Sequence, residues 1–425
     1  MRSITSKLIS IVFIVFCFPF IVTAQEDMGD ACTNIIVTKG ASLSASVNIC
    51  YTCDAPFASH LLRIPAADHK AGSKVENFPV RGNVIVDQVP HSYAVLASNG
   101  IGHNNEFQLS IGETTFGGRR GLRNKEGLHY ADLMTLALQR CKTAREAILE
   151  IADLASTYGY SQSGESISIG DTEEAWLMEI IGKGEEKGIV WVAIRIPDGT
   201  VCAHANQSRI TEFPINDPDN CLYSEDVISF AEQNGFYSKK DGKFNFSDTY
   251  NPASTRLKRG CAMRVWSILS RTSPSSDLST DYFCDVEDAE RYPLYVKPDS
   301  KLGLQDVVAL LRDHYEGTDF DMTIGEKTGA FGSPNQTRAE RAVSVDFTAF
   351  SIITQSRSDM PDQVGGLVWY CPDDTYFSCY IPLYCNISEV PQAYSIGDRK
   401  HFSWDSAWWT MNFVANYANL RYDNM

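Results

Sequence analysis

The spacing of hydrophobic positions changes several times along the chain. A β-branched run, Cys32-Thr-Asn-Ile-Ile-Val-Thr, reads as a strand, and shorter apolar runs predict strands over 83–86, 93–97, 165–169, 175–181 and 189–196. The last two, joined by a Gly-rich turn, read as a hairpin. Residues 128–155 instead carry Leu and Ala at three- and four-residue spacing, the pattern of a helix with an apolar face. Thr143 with Glu146 makes a capping box that splits this stretch into two helices, and Gly159 lies just beyond it. Further helices are predicted over 224–234, closed by Gly235, and over 304–315, closed by Gly317. Strands return over 343–347, 350–354, 367–370 and 377–381, and a last helix covers 406–416. Strands and helices come in blocks without regular alternation. That order predicts an α+β fold of antiparallel sheets flanked by helices.

The first residues follow another pattern. Arg2 and Lys7 precede an apolar run from Leu8 to Val22, which ends in the small residues Val22-Thr23-Ala24. This is the form of a secretory signal peptide cut after Ala24, and the run is shorter than the ~20 residues of a membrane span. The expected product is exported, periplasmic or extracellular, with no stable membrane span after signal removal. Residues 25–31 are a short acidic stretch, and 32–425 are expected to form one domain.

Composition narrows the classes further. With 44% hydrophobic and 21% charged residues, the chain is expected to be globular. Its net charge of −16 disfavours a general nucleic-acid partner. Loss of the signal, with Cys17, leaves eleven cysteines, so at least one is unpaired within the chain. The phosphate-binding Gly-x4-Gly-Lys, the dinucleotide-binding Gly-x-Gly-x-x-Gly, Gly-x-Ser-x-Gly and His-Glu-x-x-His patterns do not occur. The eight histidines include no tight pair, so neither a metal nor another cofactor is expected.

Chemistry concentrates at Cys32. Breaking the Ala31–Cys32 bond would leave a thiol and a free α-amine on one residue. An α-amine with pKa ~7.7–8.0 is a workable base near neutral pH, able to take the thiol proton as sulfur attacks a carbonyl. While the preceding segment is attached, that nitrogen is an amide and cannot serve.

The run Ala31-Cys-Thr-Asn-Ile-Ile-Val-Thr-Lys-Gly-Ala-Ser-Leu-Ser, followed by Tyr51-Thr-Cys-Asp-Ala, resembles the N-terminus of the C69 dipeptidases. These are N-terminal-nucleophile (Ntn) hydrolases, related to secernins and more distantly to penicillin V and bile-salt acylases. Further blocks are similar in the same order: His103-Asn-Asn-Glu-Phe-Gln-Leu-Ser-Ile-Gly-Glu-Thr-Thr-Phe-Gly-Gly118, Gly170-Asp-Thr-Glu-Glu-Ala-Trp-Leu-Met-Glu179 and Ala203-His-Ala-Asn-Gln-Ser-Arg-Ile210. Arg264-Val-Trp and a segment from Gln355 to Trp369 complete the series, so the resemblance spans nearly all of 31–415.

The resemblance implies a four-layer αββα sandwich and a self-processing cysteine dipeptidase acting on small peptides through an acyl-enzyme. Cys32 matches the nucleophile and Asp54 the aspartate that orients the new amine, against the alternative of a solvated turn aspartate before Pro56. Asn105, or Asn104 beside it, and Asn206 match donors to the carbonyl oxygen, though Asn is also common in turns. Arg264 matches a catalytic-site arginine, with a helix-surface arginine as the alternative. Homo-oligomerisation is left open.

The sequence departs from the family pattern at Cys50-Tyr-Thr-Cys53, which suits a redox or metal motif or, better, structural disulfides. A second departure, between Cys371 and Cys379, reads as a disulfide-closed hairpin. Phe402, Trp404, Trp408 and Trp409 suit either a pocket wall or core. Three rival functions stay open: an Ntn amidase on non-peptide acyl amides, an inactive secreted binding protein on the same scaffold, and a C-x-x-C redox protein.

Overall fold

The computed structural model describes residues 31–337 and 339–425. The expected signal segment, and residues 25–30 of the acidic stretch after it, lie outside them. Two antiparallel sheets organise the chain. A seven-stranded sheet runs, in spatial order, through Tyr295–Val296, Val201–His204, Ala31–Val37, Asn48–Asp54, Thr348–Gln355, Leu367–Pro372 and Ile381–Tyr384. An eight-stranded sheet runs through Cys221–Tyr223, Ile189–Ile196, Ala175–Gly182, Gly164–Gly170, Ser110–Phe116, Ile101–Asn105, Val95–Ser98 and Leu61–Ile64. The strand that opens with Ala31 therefore lies in a sheet interior, between residues 201–204 and 48–54.

Alternation decides what each face meets. Ile36 and Ile49 pack with Phe116, Leu177, Ile181 and Val192 of the other sheet. The intervening Ile35 and Val37 pack with Met263, Val265, Ile268, Val307 and Leu311, on the helices Met263–Thr272 and Leu304–Leu311. The helices Tyr130–Arg140 and Ala144–Tyr158 set Leu133, Leu136, Ile148 and Ile151 against Ile167, Ile169, Trp176 and Met178 of the eight-stranded sheet. Thr143 and Glu146 form the predicted capping box. No described helix is long and apolar enough to cross a membrane.

Several predicted elements move. Residues 83–86 form no strand: Val86 is buried and Val84 packs beside it against the helix pair, and the segment meets its neighbour through an isolated bridge between Lys74 and Asp87. Residues 343–347 are a turn, and the strand begins at Thr348. The last predicted strand starts at Ile381 instead of residue 377. The helix over 224–234 shortens to Ser229–Gln233.

Polar groups tie the two sheets together. Asn34 donates to the Glu113 carbonyl at 2.6 Å, and a Cβ on Gly112 would lie 2.5 Å from Asn34 Oδ1, so this approach requires glycine. His204, from the seven-stranded sheet, is bracketed at 2.7 Å by Thr114 Oγ1 on Nδ1 and at 2.7 Å by Ser168 Oγ on Nε2. A neutral imidazole, with one donor and one acceptor nitrogen, satisfies both hydroxyls. Burial pushes His204 and the likewise buried His103 down to about 3.

An unfolded histidine binds its proton below about pH 6.5, and the folded imidazoles refuse it until about 3. Their contribution is complete above pH ~6.5 and falls with pH by about 1.4 kcal/mol per unit for each histidine. Asp373 and Asp374, raised by burial to about 7 and about 6, act the other way, losing stability as pH rises through those values. The test is therefore the difference between wild type and His204→Gln. In chemical unfolding, the loss between pH ~6.5 and ~5 should be smaller in the variant by about 2 kcal/mol. An equal loss in both proteins would remove His204 as the acid-sensitive group.

Candidate active site

Cys32 is fully buried, directly across the ladder from Cys53, while Ala31 stands opposite Asp54. Its backbone is held from both sides. The nitrogen donates to Asn206 Oδ1 at 3.0 Å, and the carbonyl accepts from Arg264 Nη1 at 2.7 Å. Its sulfur faces the Tyr51 hydroxyl at 3.5 Å and Glu113 Oε1 at 3.7 Å, with Cys53 beside it. Tyr51 donates to that same carboxylate oxygen at 2.7 Å. Cys32 and Tyr51 come from the seven-stranded sheet and Glu113 from the eight-stranded one. The cluster exists because the sheets face each other.

Asn206 sits at φ +53°, in the left-handed region that Asn tolerates better than most residues. Its Oδ1 accepts from Cys32 and from Arg264 Nη2 at 2.9 Å, and its Nδ2 donates to the Thr115 carbonyl at 2.8 Å. Arg264 lies on the helix that follows a π-helical turn over Lys258–Ala262, with its side chain turned inward and buried. It also donates to Thr33 Oγ1 at 3.0 Å and to the Gly260 carbonyl at 2.8 Å. The helix-surface alternative for Arg264 is thereby removed.

Asp54 is buried too, which removes the solvated-turn alternative. Its Oδ2 pairs with Arg341 Nη2 at 2.5 Å, and its Oδ1 accepts from Thr348 at 2.6 Å. Asn105 is engaged elsewhere. Its two amide hydrogens go to the carbonyls of Leu138 and Cys141, each at 2.8 Å, while its Oδ1 accepts from Phe107 and Leu109. It clamps a turn, so the expectation that it faces a substrate carbonyl is corrected. Asn104, the alternative, donates to Leu109 and Ser110. The structure thus gathers Cys32, Asn206 and Arg264 by direct contact and sets Asp54 one ladder position away, without Asn105.

Electrostatics keep the thiol neutral at rest. Burial pushes it well above its usual range, and a hydrogen bond to Cys53 and the charge of Glu113 push further. Tyr51 is raised by burial first and then by the neighbouring thiols and Glu113. Glu165 is also raised, mainly by burial and then by Glu113. A thiol held neutral in this way needs a base before its sulfur can attack.

The remaining cysteines do not form the expected disulfides. All eleven described cysteines are unbonded. Cys50 and Cys53, three apart on a strand, point to opposite faces. Cys50 packs toward the helix Met263–Thr272, and Cys53 packs beside Cys32. That removes the physical basis for a C-x-x-C redox pair. Cys371 is buried and Cys379 exposed, without the predicted closure. In the aromatic cluster, Trp408 is buried, but Phe402 and Trp404 are more than half exposed and belong to no core cluster.

The model of the peptidase family C69 matches residues 31–425, beginning one residue before the enclosed thiol. The chain belongs to peptidase family C69. Its relatives include a probable dipeptidase of Latilactobacillus sakei, 26% identical over 92% of this chain and 82% of the relative. A probable dipeptidase of Salmonella dublin is 26% identical over 87% of this chain and 83% of its own. Probable dipeptidase B of Streptococcus pyogenes serotype M1 is 25% identical over 92% and 78%.

Within this C69 chain, sequence reasoning missed Glu113, Glu165, Tyr51, Arg341 and Thr348. Glu113 carried a legible signal, the one charged residue in a strand-like run from Leu109 to Phe116. Arg341 carried none. It lies in a polar segment, and only the fold brings it to Asp54.

The Asp54–Arg341 pair has a direct energetic consequence. Removing one partner of a buried ion pair costs about 3–5 kcal/mol. In urea unfolding, Asp54→Ala should lose about that much, and adding Arg341→Met should recover part of it. Additive losses would show that the two side chains are not coupled.

Proposed function

We propose that this chain is an exported, self-processing cysteine dipeptidase whose nucleophile is Cys32, freed at its own α-amine. The observation that carries the reading is the setting of Cys32: one residue offers its backbone nitrogen to Asn206 and its sulfur to Tyr51 and Glu113. The family and the names of its relatives support peptide substrates with two residues. In this reading the domain is a four-layer αββα Ntn sandwich, supported by two facing sheets with helices packed on each.

Once the Ala31–Cys32 bond is cut, the nitrogen beside Asn206 Oδ1 is an amine. Asn206, itself fixed by Arg264 and the Thr115 carbonyl, turns the lone pair of that amine toward the sulfur. The amine takes the thiol proton, and sulfur attacks the dipeptide carbonyl. We assign to Asn206 the donor that meets the developing oxyanion. The amine returns its proton to the leaving amino group, and water, activated by the same amine, releases the acyl group. Arg264 fixes the Cys32 backbone. Asp54 holds Arg341, whose charge, after burial, acts on Arg264. The substrate is a small peptide whose terminal charges are met by pocket groups.

N-terminal sequencing or intact mass of the purified protein tests the first step. Wild type should begin at Cys32 and Cys32→Ala at Gln25. Both beginning at Gln25 would remove the amine base and with it the reading. A dipeptide panel set beside acyl amides tests the second. Free amino acids should be released, and release of a fatty or aryl acid alone would favour the amidase alternative.

A further inference from the structure

An amine base explains turnover, but it cannot explain how the amine is first made. In the uncleaved chain the Cys32 nitrogen is an amide with no basic lone pair. The thiol is neutral, and its proton must go elsewhere before sulfur can attack the carbonyl carbon of Ala31.

The geometry points to Glu113: we propose that its carboxylate is the general base of self-cleavage, with Glu165 beside it holding the pair to a single negative charge. This rests on the self-processing reading above.

Two donors converge on Glu113 Oε1, the Cys32 thiol at 3.7 Å, near the usual reach of a sulfur donor, and the Tyr51 hydroxyl at 2.7 Å. An oxygen that receives two donors is an acceptor, the arrangement of an ionised carboxylate. Tyr51 is not a competing base, because its own proton is already directed to Oε1. Glu165 is the diagonal neighbour on the adjacent strand, where it pairs with Thr115. Its Oε1 accepts from Thr115 at 3.0 Å and from Tyr160 at 3.3 Å. Two buried carboxyl groups in contact do not both ionise. Burial and the charge of Glu113 favour the proton on Glu165, which then donates to Glu113. The titratable groups facing this pair are Cys32 and Tyr51 from the opposite sheet, Tyr160 beside Glu165, and Arg123 near Tyr160. Among these, Glu113 has the acceptor atom that meets the thiol.

The step balances. The S–H bond breaks and its proton passes to Glu113 Oε1 as sulfur bonds to the Ala31 carbonyl carbon. The tetrahedral adduct then expels the Cys32 nitrogen, which takes the proton back from Glu113. A thioester now joins Ala31 to the Cys32 sulfur, and the α-amine is free. Water adds to the thioester and the C–S bond breaks, giving the Ala31 carboxylate, the thiol and a released proton. From this point the amine supersedes Glu113.

The test follows intact mass over time for the full chain made by cell-free translation, across a pH series. Wild type should convert to the form beginning at Cys32, at a rate that rises with pH as the pair loses a proton and then levels. Glu113→Gln should slow conversion at least ~100-fold and flatten that rise. Glu165→Gln should still convert, with its rise displaced to higher pH, because Glu113 then loses the carboxyl donor that stabilises its single charge. Conversion of Glu113→Gln at the wild-type rate, or an unchanged pH profile for Glu165→Gln, overturns the proposal. If Glu113→Gln does not fold, Tyr51→Phe takes its place: loss of one donor should move the rise to higher pH, and an unmoved rise overturns the proposal. Failure of wild type to convert removes the self-processing reading as well. Conversion by wild type and Glu113→Gln alike removes only the role of Glu113.

Discussion

Polar groups enclosed between two packed sheets need partners, since water cannot reach them and an unmet charge there is expensive. Around Cys32 a connected set of side chains meets this constraint. Arg264 spends its donors on Cys32, Thr33, Asn206 and Gly260. Asn206 is pinned by Arg264 and Thr115, Asp54 by Arg341 and Thr348, and Glu113 by Tyr51. Each side chain is fixed by what would happen if it turned away. The reactive geometry is a by-product of satisfying buried charge.

Neutrality has a function of its own. Burial holds Cys32 and Tyr51 protonated and His204 uncharged, leaving the carboxylates and guanidinium groups to carry the local field. A thiol kept neutral is poorly nucleophilic and resists oxidation. It becomes useful only beside a base, so reactivity is governed by which base is present.

The alternation of apolar residues made the hairpin 175–196 and the capped helix pair legible, because local pattern and burial agree there. It misplaced 83–86 and 343–347, where apolar residues are buried without a ladder to join. That Cys32, Asn206 and Arg264 belong together was legible from resemblance, and the structure brings the three into contact. Asn105 misled because its amide closes a turn, a use that sequence alone does not distinguish from oxyanion binding. The Cys50–Cys53 spacing misled for a geometric reason, since a strand separates residues three apart onto opposite faces. Arg341 was invisible, as its importance arises only where the chain returns to Asp54.

The contacts around Cys32 come from residues 51, 113, 206 and 264, and the ion pair beside it reaches to residue 341. During synthesis, Cys32 emerges long before most of these partners exist. A nascent chain therefore carries its thiol through translation and early collapse without the surroundings that would make it act. Whatever chemistry Cys32 performs starts only when the strands of both sheets and the helix bearing Arg264 have come together. The molecule times its own chemistry by the completion of its fold.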